Sequence, residues 1–205
     1  MAIYSTNPHF LDLKLVEKVV NEINDNKLVV LPTDTLYAFA VKLSNRKGIE
    51  ELCRIVGKKP EKANLSILCN DLKHISDFTL QFSKSIYKLL NRNLPGPFTF
   101  ILNANNKVPK MFLNKRKTIG IRVPDHSFTL KVIEQLNEPL VVASVHHPIN
   151  KENTLNKPDE IVELYQQLHL LVIDDGELHS TGSAIVDCTG TEPILIREGE
   201  IELIV

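Results

Sequence analysis

Two threonines interrupt a buried part of the chain, and their hydroxyl groups are the first feature that could do chemistry. The apolar runs Lys27–Leu31 and Leu36–Leu43 flank a Pro-Thr-Asp-Thr tetrapeptide that contains Thr33 and Thr35. Hydroxyl groups and freed backbone N–H groups at such a break suit a small zwitterion or a phosphate. The same residues can form an Asx or Ser/Thr turn that satisfies only its own backbone. Both interpretations stay open at this point.

Basic residues are concentrated in the segment GKKPEKAN, residues 57–64, which follows a predicted helix and contains Lys58, Lys59 and Lys62. Three ammonium groups this close together can hold a polyphosphate. Lysines are also common on surfaces and at helix C-termini, where the helix dipole favours positive charge. The segment alone therefore fits an ordinary surface better than a ligand site.

Arg122 lies inside an apolar, alternating segment, residues 118–123, whose pattern predicts a buried strand. A guanidinium group seldom lies in such a strand without a partner. A functional role is therefore the better interpretation for Arg122 than for the lysines.

A serine and two histidines, Ser144, His146 and His147, come at the end of the predicted strand 140–145. A serine nucleophile with a histidine base would make a hydrolase, but the G-x-S-x-G turn that makes such a serine reactive is absent. A metal site on the histidines needs a carboxylate that the sequence cannot place. No metal ligand is therefore predicted.

The last polar loop, Ser180–Ser183, precedes a predicted strand, and Arg197 lies near the end of the following one, two residues before Gly199. Taken alone, this pattern predicts a turn and a strand end. The chain contains no Walker loop and no G-x-G-x-x-G fingerprint, so no common nucleotide motif identifies a ligand here.

Alternating strands and helices must position these residues. The predicted strands are residues 27–31, 36–43, 65–69, 98–102, 118–123, 140–145, 170–174, 183–188 and 193–198. The predicted helices are residues 11–23, 45–57, 79–93, 126–136 and 158–168, with Gly57 as a C-cap and Pro158 in a first turn. This order predicts a single α/β domain, residues 1–205, with a mixed sheet that is partly antiparallel near its end.

The composition excludes several classes of protein. Of the 205 residues, 43% are hydrophobic and 24% charged, as in an ordinary globular protein, and the net charge of -1 gives no bulk attraction to nucleic acid. The three cysteines are scattered, which argues against a disulfide scaffold and a zinc site. No apolar run is long enough for a membrane span, and the first residues do not form a signal peptide. We therefore expect a soluble, cytoplasmic protein with reduced cysteines and no membrane partner.

Six segments, in their order along the chain, resemble motifs of the YrdC/YciO family. They are LPTDTLYAFAV (31–41), GKKPEKANLSIL (57–68), LPGPFTFIL (94–102), TIGIRVPDH (118–126), PLVVASVHH (139–147) and SAIVDCTGTEPILIREGEI (183–201). The corresponding family motifs are P-T-D-T-x-Y-G-L, K-x-R-P…P-L, P-G-P-x-T, V-G-x-R-x-P-x-H, S-x-N and S-T-V-V-D…R-x-G. The resemblance extends over about residues 27–201, and TIGIRVP and CRI are more similar to the YciO branch.

The resemblance implies a fold and an activity. Members share a YrdC-like, or DHBP synthase-like, twisted mixed sheet with flanking helices and a central cavity. They are threonylcarbamoyl-AMP synthases, nucleotidyltransferases that join L-threonine, bicarbonate and ATP and release pyrophosphate, and Mg²⁺ accompanies the ATP. The product feeds tRNA threonylcarbamoyladenosine modification, and relatives are linked to binding of RNA, double-stranded RNA included. The oligomeric state is not implied.

The same resemblance implies the roles of individual residues. The implied threonine-side residues are Thr33, Thr35 and Arg122. The implied ATP-side residues are Lys58, Lys59, Ser144, His146, Ser183 and Arg197. Those implied in catalysis are Lys59, Arg122 and Ser144. We expect these hydroxyl groups and cations to converge on one hollow.

Four positions depart from the family pattern. Gly57 falls on the first cation of K-x-R and Lys59 on its arginine, His146 replaces the asparagine of S-x-N, and Ala184 replaces a threonine. These losses leave an alternative, an RNA-binding module that keeps the fold without catalysis. The residues that could form its basic patch are Lys58, Lys59, Lys110, Lys115, Arg116 and Lys117.

Overall fold

A single ten-stranded mixed sheet organises the protein, in a computed structural model that describes residues 2–7, 10–59, 63, 65–110 and 117–205. The strands are β1 Ala2–Ser5, β2 Val29–Leu31, β3 Ala38–Lys42, β4 Ser66–Leu68, β5 Phe98–Asn103, β6 Thr118–Arg122, β7 Leu140–Ser144, β8 Leu171–Asp174, β9 Ala184–Asp187 and β10 Ile194–Arg197. Their order is β1-β8-β2-β3-β7-β4-β6-β5-β9-β10. Four neighbouring pairs are parallel and five are antiparallel, so the predicted mixed α/β sheet is confirmed.

Six α-helices in the described part of the chain cover the sheet. They are α1 Leu13–Asn24, α2 Arg46–Val56, α3 Leu72–Phe78, α4 Lys84–Asn93, α5 Ser127–Leu136 and α6 Pro158–Leu164. Gly57 ends α2 in the left-handed region with φ 75°, and Pro158 begins α6, both as predicted. The helix predicted from residue 79 begins at Lys84, because the Ser83 hydroxyl accepts a hydrogen bond from the Ile86 N–H and caps it.

The sequence pattern predicted neither β1 nor α3. β1 is a half-exposed edge strand of four residues, which is too short for its alternation to stand out. α3 has seven residues and buries only Ile75, so no apolar stripe marks it. Its one local signal is Asp71, whose carboxylate accepts a hydrogen bond from the His74 N–H at 2.6 Å and caps the helix.

Strand alternation divides the apolar side chains between the two faces of the sheet. One face packs against α2, α3, α4 and α6 through a large cluster that includes Val30, Phe39, Val41, Ile67, Phe100, Ile121 and Val141. The other face packs against α1 and α5 through Val29, Leu31, Ala38, Ala40, Leu68, Leu140, Val142, Leu171 and Ile173. Residues of β5, β6 and β9 do not take part in this second cluster.

On this second face, β5, β6 and β9, together with the start of β4, form the floor of a hollow. Small or polar residues replace aliphatic ones there, among them Ser66 on β4, Thr99 on β5 and Arg122 on β6, and all three line one cavity. Gly120, also on β6, has no room for a side chain, because a Cβ atom would stand 2.8 Å from the Ser66 hydroxyl oxygen. The fold thus leaves space where the sequence places polar groups.

The remaining general expectations concern cysteines and membranes. All three cysteines are buried and none forms a disulfide. Burial raises the pKa of the Cys188 thiol to about 12, and the pKa of the Cys69 thiol is raised as well. Among the residues that the structure describes, no helix is both long and apolar enough to cross a membrane.

Candidate functional site

A cavity of about 360 Å³ brings together most of the predicted site residues. Those that line it are Thr33, Thr35, Lys58, Arg122, Ser144, His146, Ser183 and Arg197. They come from six separate stretches of the chain, at the ends of strands, in the loops beside them or, for Lys58, just after α2. The expected convergence of hydroxyl groups and cations on one hollow is therefore present.

Thr33 forms the turn that breaks the first buried segment. Its hydroxyl oxygen accepts hydrogen bonds from the N–H groups of Thr35 and Leu36, both at 3.1 Å, and the hydroxyl donates to the Leu36 carbonyl at 2.8 Å. The Ser/Thr turn interpretation thus describes Thr33. Thr35 differs, because its hydroxyl oxygen accepts a hydrogen bond from Arg122 Nη1 at 2.6 Å.

Arg122 is buried at the end of β6, and three groups hold its guanidinium. Nε donates to the Gly96 carbonyl at 3.2 Å, Nη1 donates to Thr35, and Nη2 forms an ion pair with Asp34. Burial lowers the pKa of Arg122, and the Asp34 carboxylate opposes that shift. Asp34 is therefore the anionic partner that a buried arginine requires.

Arg197 approaches the cavity from β10 and is fixed to the backbone of Ser183. Its Nε and Nη2 donate to the Ser183 carbonyl at 3.0 and 2.6 Å. The Ser183 hydroxyl in turn lies 2.8 Å from the hydroxyl of Thr99. The charge of Arg197 also disfavours the charged form of Arg122 and contributes to its lowered pKa. Two cations that repel each other across a hollow are stabilised by an anionic ligand.

Ser144 and His146 lie at the end of β7. The imidazole Nδ1–H of His146 donates to the Ser144 carbonyl at 2.9 Å, which assigns the tautomer because a carbonyl only accepts. The Tyr165 hydroxyl donates to the His146 carbonyl at 2.6 Å, and burial raises the pKa of Tyr165 and keeps it protonated. His146 thus contacts the backbone carbonyl of Ser144, and no hydrogen bond joins its imidazole to the Ser144 hydroxyl among the described residues, so the arrangement does not favour the serine hydrolase alternative.

The neighbouring His147 is part of a loop rather than of the cavity. Its Nδ1 accepts hydrogen bonds from the N–H groups of Ile149 and Asn150, at 3.2 and 3.0 Å. No group of three or more potential metal ligands occurs among the residues with described positions.

Lys58 and Lys59 separate at the end of α2. Lys58 follows the left-handed Gly57, and its backbone N–H donates a hydrogen bond to the Cys53 carbonyl at 3.0 Å. Lys58 also lines the cavity. Lys59 does not line that cavity and instead lines an exposed depression with Glu50 and Arg54, to which Lys58 also contributes. The prediction that Lys59 lies with the other proposed ATP-side residues does not agree with this position, because Lys58 lines the cavity and Lys59 does not. Lys62 lies outside the described residues.

Two polar residues of the cavity lining, Ser66 and Thr99, were not singled out from the sequence. Thr99 belongs to the P-G-P-x-T segment, and its alternation with Phe98 and Phe100 was the signal that could have placed it on the cavity face. Ser66 gives a weaker signal, because its strand has only three residues.

The basic patch considered for RNA binding is only partly described. Lys58, Lys59, Lys110 and Lys117 are exposed, while Lys115 and Arg116 lie outside the described residues. Lys117 precedes β6 and Arg122 ends it, which separates the two by roughly 16 Å at the usual rise per strand residue.

The donor set fits an ion carried by a nucleotide better than one held by the protein. No aspartate or glutamate is among the described lining residues of the cavity, whose polar groups are hydroxyls, cations and one imidazole. Mg²⁺ usually keeps several waters and binds phosphates together with one or two carboxylates. Hydroxyl groups such as those of Ser144 and Ser183 could contact the water shell of an ion that phosphates carry.

Comparison with known proteins identifies the family. A family model described as "Telomere recombination", Sua5_yciO_yrdC, matches residues 21–199. The chain is 32% identical to the uncharacterized protein YciO of Escherichia coli over 198 residues, 96% of this chain and 93% of YciO. The crystal structure of E. coli YciO superposes with a TM-score of 0.90 at 30% identity and 98% coverage of both chains. A threonylcarbamoyl-AMP synthase of Pyrococcus abyssi is 25% identical over 182 residues, 88% of this chain and 53% of the relative. The chain therefore belongs to the Sua5/YciO/YrdC family.

Proposed function

We propose that this protein is a threonylcarbamoyl-AMP synthase-like nucleotidyltransferase that joins L-threonine, bicarbonate and ATP and releases pyrophosphate. The observation that carries the proposal is the charge of the cavity, which has Lys58, Arg122 and Arg197 on its walls and no described carboxylate. A hollow of that kind suits ligands that bring several negative charges. The name of the P. abyssi relative, threonylcarbamoyl-AMP synthase, supports the same reaction.

The proposed reaction needs positioning and charge neutralisation more than a protein nucleophile. The amino group of threonine takes up bicarbonate with loss of water, which gives a carbamate. A carbamate oxygen then attacks the α-phosphorus of ATP, the bond to the β-phosphate oxygen breaks, and pyrophosphate leaves. Both reactants are anions, so cations that lower their mutual repulsion are the main requirement. The ion that accompanies ATP would supply further neutralisation on the phosphates.

The threonine would bind at the Thr35–Arg122 end of the cavity in this proposal. The guanidinium of Arg122 has five N–H donors and spends three of them on Gly96, Thr35 and Asp34, so its remaining donors can bind a carboxylate. Thr33 would act indirectly, since its hydroxyl holds the turn that presents Thr35.

The nucleotide would bind along Ser144, Ser183 and Arg197. Arg197 cannot move freely, because two of its nitrogens hold the Ser183 carbonyl, and a fixed cation loses little entropy when a phosphate binds. Lys58 adds a second cation. Among the described lysines of the loop 57–64, it is the one that lines the cavity.

The product, an activated carbamoyl adenylate, would pass to an enzyme that modifies tRNA, which makes tRNA a downstream partner in this proposal. The departures at Gly57 and His146 predict slower turnover than in a family member with the full motifs. A unit charge about 4 Å from a phosphate contributes on the order of 4 kcal/mol at an effective dielectric constant of about 20, before desolvation is subtracted.

Pyrophosphate release tests the proposed reaction. Purified protein at high concentration is incubated with ATP, Mg²⁺ and bicarbonate, with and without L-threonine, and pyrophosphate is measured. We expect a threonine-dependent signal that Arg122→Met removes and that the exposed variant Lys88→Met keeps. No threonine-dependent release at high enzyme concentration would contradict the proposal.

A further inference from the structure

A small side branch adjoins the main cavity between the end of α2 and the loop after β7. Its volume is about 110 Å³. The residues that line both hollows are Val56, Lys58, Ser144 and His146. The branch is several times larger than the roughly 30 Å³ that one water occupies in the liquid, so it has room for a group of several heavy atoms.

Lys151 brings a further positive charge to this branch. It lies on the exposed loop after β7, and its Nζ donates to the Ile55 carbonyl at 2.7 Å. Ile55 is the penultimate residue of α2, so the ammonium group lies at the carbonyl end of that helix. An ammonium group carries three hydrogens, and a bond to one carbonyl leaves donors for a ligand.

The chemistry of the branch is that of an anion site. Two ammonium groups and a serine hydroxyl line it as donors, beside a His146 ring whose Nδ1–H is already bound to a carbonyl, and no aspartate or glutamate lines it among the described residues. Its remaining walls are apolar or aromatic, and a charged hydrogen bond beside such walls is stronger than one in water. A compact anion with several oxygens satisfies these donors better than a single carboxylate does.

The proposed nucleotide supplies such an anion next to the branch. Ser144, His146 and Lys58 lie at the junction of the two hollows, so a triphosphate that passes them would extend into the branch. We infer that Lys151 binds the terminal phosphates of the nucleotide and, after the reaction, the pyrophosphate product; this inference rests on the proposed function. Lys151 thereby supplies, from a different loop, a cation that the segment around Gly57 lacks.

A purely structural role is the competing explanation for Lys151. Its bond to the Ile55 carbonyl stabilises the C-terminus of α2, as lysines at helix ends commonly do. That role affects the stability of the fold and is indifferent to the phosphate chain of a ligand. The two explanations therefore differ in which ligands lose affinity when the charge is removed.

Binding titrations with inorganic triphosphate, ATP, AMP and L-threonine separate the two explanations. The variants are Lys151→Met, which removes the charge, Lys151→Arg, which keeps it, and the matched control Lys88→Met on the exposed face of α4. We expect Lys151→Met to weaken triphosphate and ATP binding by about tenfold, as for a lost charged hydrogen bond. AMP and threonine affinities should stay within about twofold, Lys151→Arg should restore most of the triphosphate affinity, and Lys88→Met should match the wild type.

The results that would overturn the inference about Lys151 differ from those that would overturn the proposed reaction. Equal triphosphate affinity in the wild type and Lys151→Met overturns the inference, and so does an equal loss of AMP affinity or the absence of triphosphate binding in the wild type. If triphosphate affinity depends on Lys151 but no threonine-dependent pyrophosphate release occurs, the phosphate site stands and the proposed synthase reaction fails.

Discussion

The pairing of Arg122 with Asp34 gives the arginine a structural role, and the proposed function adds a ligand-binding one. The guanidinium is buried and compensated by a carboxylate, and its remaining donors face a cavity. Removal of only one partner of such a pair leaves an uncompensated charge in a buried site. The effect of Arg122 on stability and its effect on ligand binding can be separated, because a second substitution at Asp34 should restore stability and not ligand binding.

The first prediction uses this pair. Arg122→Met should lower the free energy of unfolding by about 3–5 kcal/mol, because Asp34 is left buried without a counter-ion. The double variant Arg122→Met/Asp34→Asn should recover a large part of that loss and still fail to bind threonine. Urea unfolding and calorimetry measure the two effects. Threonine binding that returns with stability in the double variant would show that Arg122 acts only on the fold.

Individual site residues were predictable to different degrees. Arg122 was predictable because a charged residue in an apolar strand requires a partner. The position of Lys59 was not, since its direction depends on the left-handed cap at Gly57. Lys151 gave no signal at all, because only the tertiary fold brings the loop after β7 to the end of α2.

At the level of elements, the cavity exists because part of one sheet face is built from small and polar residues. Gly120 lies beside two residues of this floor: a Cβ atom there would lie 2.8 Å from the Ser66 hydroxyl oxygen and 3.2 Å from the Cγ2 atom of Thr99. Neighbouring β6 residues on the opposite face, Ile119 and Ile121, pack in the main core. Because Ile119 and Ile121 hold β6 against the core, the strand cannot easily shift away from a side chain added at Gly120.

The second prediction follows from this floor. Gly120→Val should weaken the binding of ATP and threonine by at least about tenfold, with a loss of about 1–3 kcal/mol in stability from overpacking. Calorimetric titration and thermal unfolding measure these changes. Gly190→Ala is the matched control, because a Cβ atom there meets only the Glu192 carbonyl at 3.9 Å. Unchanged affinities in a folded Gly120→Val protein would place the ligands elsewhere.

The third prediction concerns α3, the helix that the sequence pattern missed. Burial lowers the pKa of His74, while Asp71 and Asp77 oppose the shift, so the folded state favours the neutral imidazole. The unfolded state therefore binds more protons, and stability should fall as pH decreases through the ordinary histidine value of 6.5. His74→Gln should reduce the difference in unfolding free energy between about pH 8 and about pH 5. An identical difference in both proteins would contradict this account of α3.

Most strands and helices were predictable, because their apolar periodicity is clear and their caps are local. The order of the strands was not, since β3 pairs with β7 and β7 with β4 across long separations in sequence. The same limitation applies to the cavity, whose lining comes from strands that are neighbours only in the folded sheet. Local rules therefore predicted the elements, and tertiary packing determined the site.

At the scale of the whole molecule, a nearly neutral protein concentrates positive charge in one hollow. The net charge is -1, yet the described lining of the cavity has two arginines and a lysine with no carboxylate, and only Arg122 has a counter-ion, Asp34, beside the lining. Field lines in a concave, low-dielectric site are focused, so local charge rather than net charge governs which ligands bind. The charge of the hollow therefore concerns small anionic ligands that can enter it. A long polyanion such as RNA would instead contact the outer surface.

The fourth prediction tests the RNA-binding alternative at this scale. Binding of double-stranded RNA through exposed lysines should weaken steeply with salt, with a slope of about -0.9 per phosphate contact. Lys110→Met/Lys117→Met should reduce that slope and leave ATP affinity unchanged, because neither lysine lines the cavity. A salt response that is flat would remove RNA binding through phosphates as an explanation of this chain.

The most direct test of the central claim is calorimetry with ATP and L-threonine, separately and together. One hollow that holds a nucleotide beside an amino acid predicts that each ligand binds with one site, and that saturation with one leaves the other bound with equal or higher affinity. Binding of neither ligand to folded protein, or displacement of threonine by ATP, would contradict it.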